Sequence, residues 1–227
     1  MKLSVLIPAY NERETIAELV RRVAAVDLGF GSEMEIIVVD DGSTDGTRQI
    51  LAGLQVPGLR VIEHERNLGK GGAIRTALAA ATGDAVIFQD ADLEYDPQDF
   101  PQLWALIARG EAQVVYGARD LGDQAFFRRF GNHFLTWATN LLYGTHLQDM
   151  ETCYKMIARP IARTLDLQSH RFDMEPEITA KIIRAGHTIH EVPISYSPRI
   201  VRKLSPWRDG WPALRTLLKY RYSRRAS

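Results

Sequence analysis

The sequence has little that is typical of a secreted or membrane-spanning protein. Its single cysteine, Cys153, cannot form an internal disulfide, which favours a reducing compartment. No apolar run approaches the ~18–20 residues of a membrane-spanning helix, and the strand-like Leu3–Ile7 stands where a signal peptide would be. A composition of 45% hydrophobic and 25% charged residues excludes disordered and collagen-like chains. We therefore expect a soluble, cytoplasmic protein.

The formal net charge is zero, but the charges are unevenly distributed. Residues 199–227 carry nine basic side chains and one acidic one, so this segment is +8 and residues 1–198 are −8. Such a segment favours contact with an anionic membrane, phosphate or nucleic acid, and a solvated basic helix is the alternative. We predict a main domain at residues 1–206 and a basic C-terminal helix or tail at residues 207–227.

Short β-rich runs alternate with helical patterns along the chain. The predicted strands are Leu3–Pro8, Glu35–Val39, Leu59–His64, Ala85–Phe88, Gln113–Tyr116, Tyr154–Ile157 and Ile189–Ile194. The predicted helices are Glu12–Val26, a helix capped by Ser43 or Thr44 that runs to Leu54, Gly69–Ala81, Pro97–Ala108, Phe126–Tyr143, Glu175–Ala185 and Gly210–Arg224. This order predicts an α/β fold, with a mostly parallel sheet flanked by helices and an amphipathic basic helix at its C-terminal end.

One predicted helix carries an unusual aromatic stripe, made of Phe127, Phe130, Phe134, Trp137 and Leu141. A stripe at helical spacing usually packs into a core. If it is exposed instead, it forms the kind of apolar patch that marks an interaction site.

Polar clusters follow three predicted strands, at Pro8–Glu12, Asp40–Ser43 and Asp90–Glu94. The carboxyl ends of parallel strands meet at one edge, where open α/β sheets bind ligands. Carboxylates gathered there repel one another by about 1–4 kcal/mol per pair at 4 Å unless a cation or donor relieves them. Asp90 and Asp92 share one strand face, and their oxygen ligands suit Mg²⁺ or Mn²⁺ better than zinc.

Several other functional motifs are absent from the sequence. Gly69–Gly72 does not complete a P-loop, and no G-x-G-x-x-G follows the first strand. There is no G-x-S-x-G elbow for a nucleophilic serine, and the six histidines show no metal-binding spacing.

Four motifs are present, at Ile7–Glu12, Val39–Thr47, Asn67–Ala73 and Asp90–Asp92. Together they resemble the motifs of family 2 glycosyltransferases of GT-A fold. Downstream matches resemble the dolichol-phosphate mannosyltransferase branch and its bacterial polyprenyl-phosphate relatives; these are Gly117–Arg119, Phe172–Glu175 and Glu191–Tyr196 followed by Arg199 and Lys203.

The resemblance implies a metal-dependent, inverting transfer of a hexose from a nucleotide-sugar, of GDP-mannose or UDP-glucose type, to dolichyl or undecaprenyl phosphate. It implies that the donor is bound by Pro8, Tyr10, Glu12, Val39, Asp40, Asp41, Asp90, Ala91, Arg199 and Lys203. It implies that Mg²⁺ or Mn²⁺ is held by Asp90, Asp92 and Glu94. It implies catalytic roles for Asp92, Arg119 and Asp149, and an acceptor phosphate bound by Arg119, Arg129 and Arg199.

Elementary chemistry agrees with these roles. A cation neutralises the departing diphosphate, and arginine binds phosphate through two parallel hydrogen bonds. A phosphate acceptor is already ionised, so it needs a general base less than an alcohol does. The segment Asp149–Lys155 departs from the D-x-[ST]-G-F pattern of the mannosyltransferases, which leaves the donor sugar and a base role for Asp149 open.

Two further functional hypotheses accompany this one. A soluble hydroxyl acceptor would make Asp149 the general base, and a non-catalytic nucleotide-sugar-binding protein would bind donor without turnover.

Because a polyprenyl phosphate lies in a bilayer, we expect peripheral contact with the cytoplasmic membrane face, through the aromatic helix and the basic helix or through a membrane partner subunit. We expect no nucleic-acid binding, because the basic segment lacks an aromatic platform. The sugar, the nucleobase, the lipid length and the oligomeric state stay open.

Overall fold

One seven-stranded sheet organises the protein. The computed structural model describes residues 1–120, 122, 126–169, 173–198 and 206–223, and for residues 126–128 and 206–210 it describes the backbone only. The strand order is β3-β2-β1-β4-β6-β5-β7. The strands are β1 (Lys2–Ala9), β2 (Glu33–Asp40), β3 (Leu59–Glu63), β4 (Ala85–Phe88), β5 (Val114–Arg119), β6 (Lys155–Ala158) and β7 (His190–Ile194).

The sheet is parallel except at β6, which runs antiparallel to both β4 and β5. The other strands therefore point the same way, and the carboxyl ends of β1, β2, β4 and β5 meet at one edge. After β3 the chain crosses to the other side of β1, so the strand order reverses between β1 and β4, which is where open α/β sheets bind ligands. The predicted mostly parallel α/β architecture is confirmed.

Eight α-helices and one short 3-10 helix lie among the residues that the structure describes. The α-helices are α1 (Ile16–Ala24), α2 (Thr47–Gly53), α3 (Lys70–Ala80), α4 (Phe100–Ala108), α5 (Phe126–Tyr143), α6 (Arg159–Ala162), α7 (Met174–Arg184) and α8 (Pro206–Tyr222). The 3-10 helix, Pro97–Asp99, precedes α4.

The starts of α1 and α2 differ from the prediction for local reasons. The chain turns at Asn11, whose φ is 56°, so α1 begins only at Ile16. The prediction that Ser43 or Thr44 caps α2 is wrong, because the residue before that helix is Gly46, with a φ of 104°. The Ser43 hydroxyl instead accepts a hydrogen bond from the backbone N–H of Asn11, at 3.0 Å.

Two apolar clusters hold the fold together. The larger one packs the fully buried strands of the sheet against α1, α3 and α4. Each Val, Leu or Ile buried there contributes about 1.5–3 kcal/mol. The smaller one joins α5, α7 and α8, and it consists of Leu135, Leu147, Met150, Ala180, Ala213 and Leu217. The C-terminal helix therefore packs on the body of the protein through Ala213 and Leu217.

The outward side of α5 and α8 is apolar and exposed. We call this surface the aromatic face; its members are exposed by between 39% and 78% and are Phe130, Phe134, Trp137, Leu141, Trp211, Leu218 and Tyr222. Those of its members that were predicted on α5 thus lie outside the core, while the side chain of Phe127 lies outside the described part. Among the described residues, no helix has the length and apolar character to cross a bilayer.

Candidate functional site

Asp41 joins two of the loops at the carboxyl edge of the sheet. One oxygen of its carboxylate accepts the Leu68 N–H at 2.8 Å, and the other accepts the Gly69 N–H, also at 2.8 Å. His64 Nδ1 lies 2.7 Å from the first oxygen. Glycine is required at position 42, where φ is +74° and a Cβ would stand 2.7 Å from the carbonyl carbon of Arg66. Asp41, predicted in the donor pocket, therefore fixes the loop that precedes α3.

Asp40, at the end of β2, has a partner for only one of its two carboxylate oxygens among the described residues. Its Oδ2 pairs with Arg48, whose Nη2 lies 2.9 Å away. Its Oδ1 is buried and has no hydrogen-bond partner among the described residues. A buried, unpaired acceptor is costly, so this oxygen is suited to accept an N–H from a ligand.

The loop after β1 is tied to the loop after β2. The Glu12 N–H donates to the Thr47 hydroxyl at 2.9 Å, and the Thr44 N–H donates to the side-chain oxygen of Asn11, also at 2.9 Å. Tyr10 is exposed at the surface of this loop pair. Pro8 lies near the end of β1 and Val39 near the end of β2, where Val39 is fully buried. The structure thus brings the predicted donor-pocket residues of β1 and β2 together.

Asp90, after β4, is paired with a buried lysine. Lys70 Nζ, at the start of α3, lies 2.7 Å from Asp90 and 2.8 Å from Glu175, at the start of α7. Burial lowers the pKa of Lys70, but the two carboxylates outweigh it, so that this pKa lies well above its ordinary value. Lys70 is therefore a permanent cation beside Asp90, and the neighbouring Ala91 is buried.

Asp92 and Glu94 do not converge with Asp90 on one point. Asp92 Oδ1 accepts the Glu94 N–H at 3.1 Å, and Glu94 Oε2 accepts the Tyr196 hydroxyl at 2.6 Å. Among the described residues, no group of three or more acidic, histidine or cysteine side chains is arranged to hold a metal ion. The predicted three-carboxylate site is therefore not preformed. Asp90 and Asp92 still fit a hard cation of the Mg²⁺ type, which commonly takes one or two carboxylates and completes its shell with substrate phosphates and water.

A buried ion pair lies at the end of β5. Arg119 Nε and Nη2 donate to the two oxygens of Asp149, at 2.6 and 2.9 Å. The side chains are only 5% and 2% exposed. The Arg119 guanidinium also lies 5.1 Å from the ring centre of Tyr196, and Glu191 accepts the Asp149 N–H. The predicted catalytic residues Arg119 and Asp149 are therefore in direct contact.

Arg129 and Arg199 are the other two residues that were predicted to bind the acceptor phosphate. Arg129 is exposed on α5. On the same helix, the Thr136 hydroxyl accepts the Met150 N–H at 3.1 Å, which holds α5 next to Asp149. Arg199 and Lys203 lie outside the described residues.

Sequence reasoning did not assign roles to Lys70 and Glu175. Both stand inside motifs quoted for the resemblance, at Asn67–Ala73 and Phe172–Glu175. They are 105 residues apart, so their contact with each other could not be read from local spacing. The only local signal was that Lys70 and Glu175 each stand at or near the start of a predicted helix.

The model of the family described as "Glycosyl transferase family 2" matches residues 4–165. The chain belongs to glycosyl transferase family 2. The family predicted from the motifs is thus confirmed.

Curated relatives in this family act on polyprenyl phosphates, according to their names. Dodecaprenyl-phosphate galacturonate synthase of Rhizobium johnstonii is 30% identical over 178 residues, which is 76% of this chain and 53% of the relative. Undecaprenyl-phosphate 4-deoxy-4-formamido-L-arabinose transferase of Salmonella paratyphi A is 30% identical over 201 residues, 87% of this chain and 60% of the relative. The chain therefore spans between about half and three-fifths of these relatives.

Solved structures confirm the predicted GT-A fold of this family member. Glucosyl-3-phosphoglycerate synthase of Mycobacterium tuberculosis, in complex with phosphoglyceric acid, has a TM-score of 0.77 and 26% identity, and the match covers 99% of this chain and 81% of that one. The complex of the same synthase with Mn²⁺, uridine diphosphate and phosphoglyceric acid has a TM-score of 0.77 and 23% identity, over 99% of this chain and 80% of that one.

Proposed function

We propose that this family 2 member is an inverting glycosyltransferase that moves a hexose from a nucleotide-sugar to a polyprenyl phosphate, with Mg²⁺ or Mn²⁺. The observation that carries the proposal is the arrangement of α5. One side of this helix is held next to the Arg119–Asp149 pair through Thr136, and the other side carries the exposed aromatic face. A lipid acceptor needs both features, an anion-binding arginine and a surface that accepts apolar chains. The names of the two curated relatives support the same acceptor class.

The donor would lie along the ends of β1, β2 and β4. Asp40 Oδ1 is placed to accept an N–H of the base, and both uracil and guanine carry such a donor. Tyr10 offers an exposed aromatic ring at the same edge. Lys70, a buried cation, is placed to draw the diphosphate toward Asp90. Asp90 and Asp92 would hold the divalent cation, whose chemistry is to neutralise the charge on the departing diphosphate.

The acceptor phosphate would meet Arg119 from the side opposite Asp149. Two of the guanidinium nitrogens, Nε and Nη2, donate to Asp149. Nη1 is the nitrogen through which Arg119 would bind a phosphate oxygen. Arg129 on α5, with Arg199 and Lys203 from the sequence prediction, would add further positive charge. An ionised phosphate then attacks the sugar without a general base.

The Arg119–Asp149 contact also bears on the hypothesis of a soluble hydroxyl acceptor. A general base must lie within hydrogen-bond reach of the proton that it takes. Both oxygens of Asp149 are held by Arg119, so the pair would have to open before Asp149 could serve as a base. The geometry therefore favours the phosphate acceptor.

Binding of the donor half is tested by thermal unfolding. With Mn²⁺ and a nucleoside diphosphate at about 100 times Kd, we expect stabilisation of about 2.7 kcal/mol, or a rise in Tm of roughly 5–10 °C for a domain of this size. Uridine and guanosine diphosphates identify the base, and the monophosphates and Mn²⁺ alone are the controls. If millimolar concentrations of every nucleoside diphosphate leave Tm unchanged, the proposed donor class is wrong.

Membrane contact through the aromatic face is tested by co-sedimentation with anionic phosphatidylglycerol vesicles. We expect binding at low salt that the double substitution Trp137→Ala/Trp211→Ala weakens by tenfold or more, because burial of each ring contributes about 1–2 kcal/mol in a bilayer interface. Phe30→Ala is a matched control, since Phe30 is 58% exposed and Trp137 is 59% exposed. Wild-type protein that stays in the supernatant at low salt would contradict direct membrane contact and favour a partner subunit.

A further inference from the structure

Glu151 is a partly buried acid, with a fully buried Oε1, that neither the donor nor the acceptor half of the proposed site uses. It lies in the loop between α5 and β6, two residues after Asp149. The charged groups that act on it are Glu175 on α7, Lys155 on β6, Arg119 on β5 and Asp149 in its own loop. Glu151 therefore lies within electrostatic reach of both halves of the site.

An ionised Glu151 would have no cation of its own among the described residues. Arg119 is committed to Asp149 through two hydrogen bonds. Lys155 Nζ donates to the Met150 carbonyl at 2.6 Å and lies 4.1 Å from the ring centre of Tyr116. The four groups around Glu151 consist of two anions and two cations, so their charges cancel and do not offset the cost of burying a fifth charge.

Two carboxyl groups that act on each other electrostatically also each have an oxygen without a partner among the described residues. Oε1 of Glu151 and Oε2 of Glu175 are both buried and have no hydrogen-bond partner among the described residues. Two carboxylates that share a site satisfy each other when one of them holds a proton, because the acid can then donate to the carboxylate. Burial and the negative charge of Glu175 raise the pKa of Glu151 to about 8, so Glu151 is the one that holds the proton.

We propose that Glu151 is a positioning residue that donates a hydrogen bond, as the neutral acid, to Oε2 of Glu175. Glu175 is thereby fixed in the orientation in which its other oxygen holds Lys70 against Asp90. The inference rests on the proposed function only for its effect on transfer, since the shared proton is a property of the folded chain itself.

The proton is measured through the pH dependence of unfolding. Between pH 5 and 7.5 the folded chain holds a proton on Glu151 that the unfolded chain releases, so stability falls as pH rises. We expect the ratio of the unfolding constants of wild type and Glu151→Gln to rise tenfold per pH unit over this window. Lys155, whose pKa burial lowers to about 8, keeps its charge there. Glu111→Gln removes an exposed carboxyl, so the plot of its stability against pH should run parallel to that of wild type. Parallel curves for wild type and Glu151→Gln would overturn the proposal, whether or not the protein transfers sugar.

The positioning role is measured in the transfer reaction. We expect the kcat/KM of wild type to decline above pH 8, where Glu151 loses its proton. The amide of Glu151→Gln still donates to Glu175 at every pH, so we expect this variant to keep at least half of kcat at pH 7 and to lack the alkaline decline. Glu151→Ala removes the donor, and we expect kcat/KM to fall at least tenfold. If the glutamine variant is as impaired as the alanine variant, or keeps the alkaline decline, the positioning role is wrong even though the enzyme is active.

Discussion

The Asp92→Asn variant is expected to lose sugar transfer by roughly 10³-fold or more while it keeps the wild-type fold. Stabilisation of the leaving diphosphate by a bound divalent cation is worth several kcal/mol, and each 1.36 kcal/mol is a factor of ten in rate. The substitution removes the charge that such a cation needs but keeps Oδ1, which accepts the Glu94 N–H at 3.1 Å. The measurement is the initial rate of transfer at saturating Mn²⁺, with unfolding followed in parallel.

Asp96→Asn is the matched control for that experiment. Asp96 lies four residues further on, and its Oδ1 accepts the Gln98 N–H at 3.0 Å in the same local geometry. The chemical change and the backbone hydrogen bond are therefore the same, but Asp96 has no role in the proposed site. We expect this variant to turn over normally. Full activity in Asp92→Asn would contradict the metal role, and equal losses in both variants would show that the loop itself was damaged.

The second large effect is expected at the buried ion pair. Removing one partner of such a pair leaves an uncompensated buried charge, which costs about 3–5 kcal/mol. We therefore expect Asp149→Ala to lower Tm by roughly 6–20 °C, because 1 kcal/mol corresponds to about 2–4 °C for a domain of this size. Arg119→Ala is expected to do the same and also to abolish transfer. The free energies of unfolding come from denaturant titration.

A double variant separates the structural role of the pair from its chemical role. Arg119→Met/Asp149→Leu leaves no buried charge unpaired, so we expect it to recover most of the stability that either single variant loses. It should not recover transfer, because the arginine that would bind the acceptor phosphate is gone. A single variant that costs less than about 1 kcal/mol, or a double variant that transfers sugar, would contradict the proposed role of Arg119.

Local patterns were sufficient to predict most elements of the fold. Strand β4 and helix α5 have the predicted bounds. A short β-rich run fits only a strand, and a long stripe at helical spacing fits only a helix. The reversal of β6 between β4 and β5 was not predictable, since a buried apolar strand has the same pattern in either direction. Helix α6, with four residues, is too short to give a periodic signal.

The site was predictable as a set of residue types but not as a set of contacts. The motifs placed Asp41, Asp90 and Arg119 at strand ends, where the structure has them. Their partners come from distant parts of the sequence, as with Leu68 for Asp41, 27 residues away, and Asp149 for Arg119, 30 residues away. Because these partners could not be predicted, the sequence led to an expectation of three converging carboxylates. In the structure, Asp90 forms an ion pair with Lys70, and Glu94 accepts a hydrogen bond from Tyr196.

The acceptor class is the centre of this account, and one assay tests it most directly. Protein with Mn²⁺ and radiolabelled nucleotide-sugars is offered undecaprenyl phosphate in detergent, or phosphoglyceric acid and free sugars in water. We predict that label moves into the organic phase as a lipid-phosphate sugar of inverted anomeric configuration, and only when the lipid phosphate is present. Label that enters a water-soluble product while the organic phase stays empty would contradict the account.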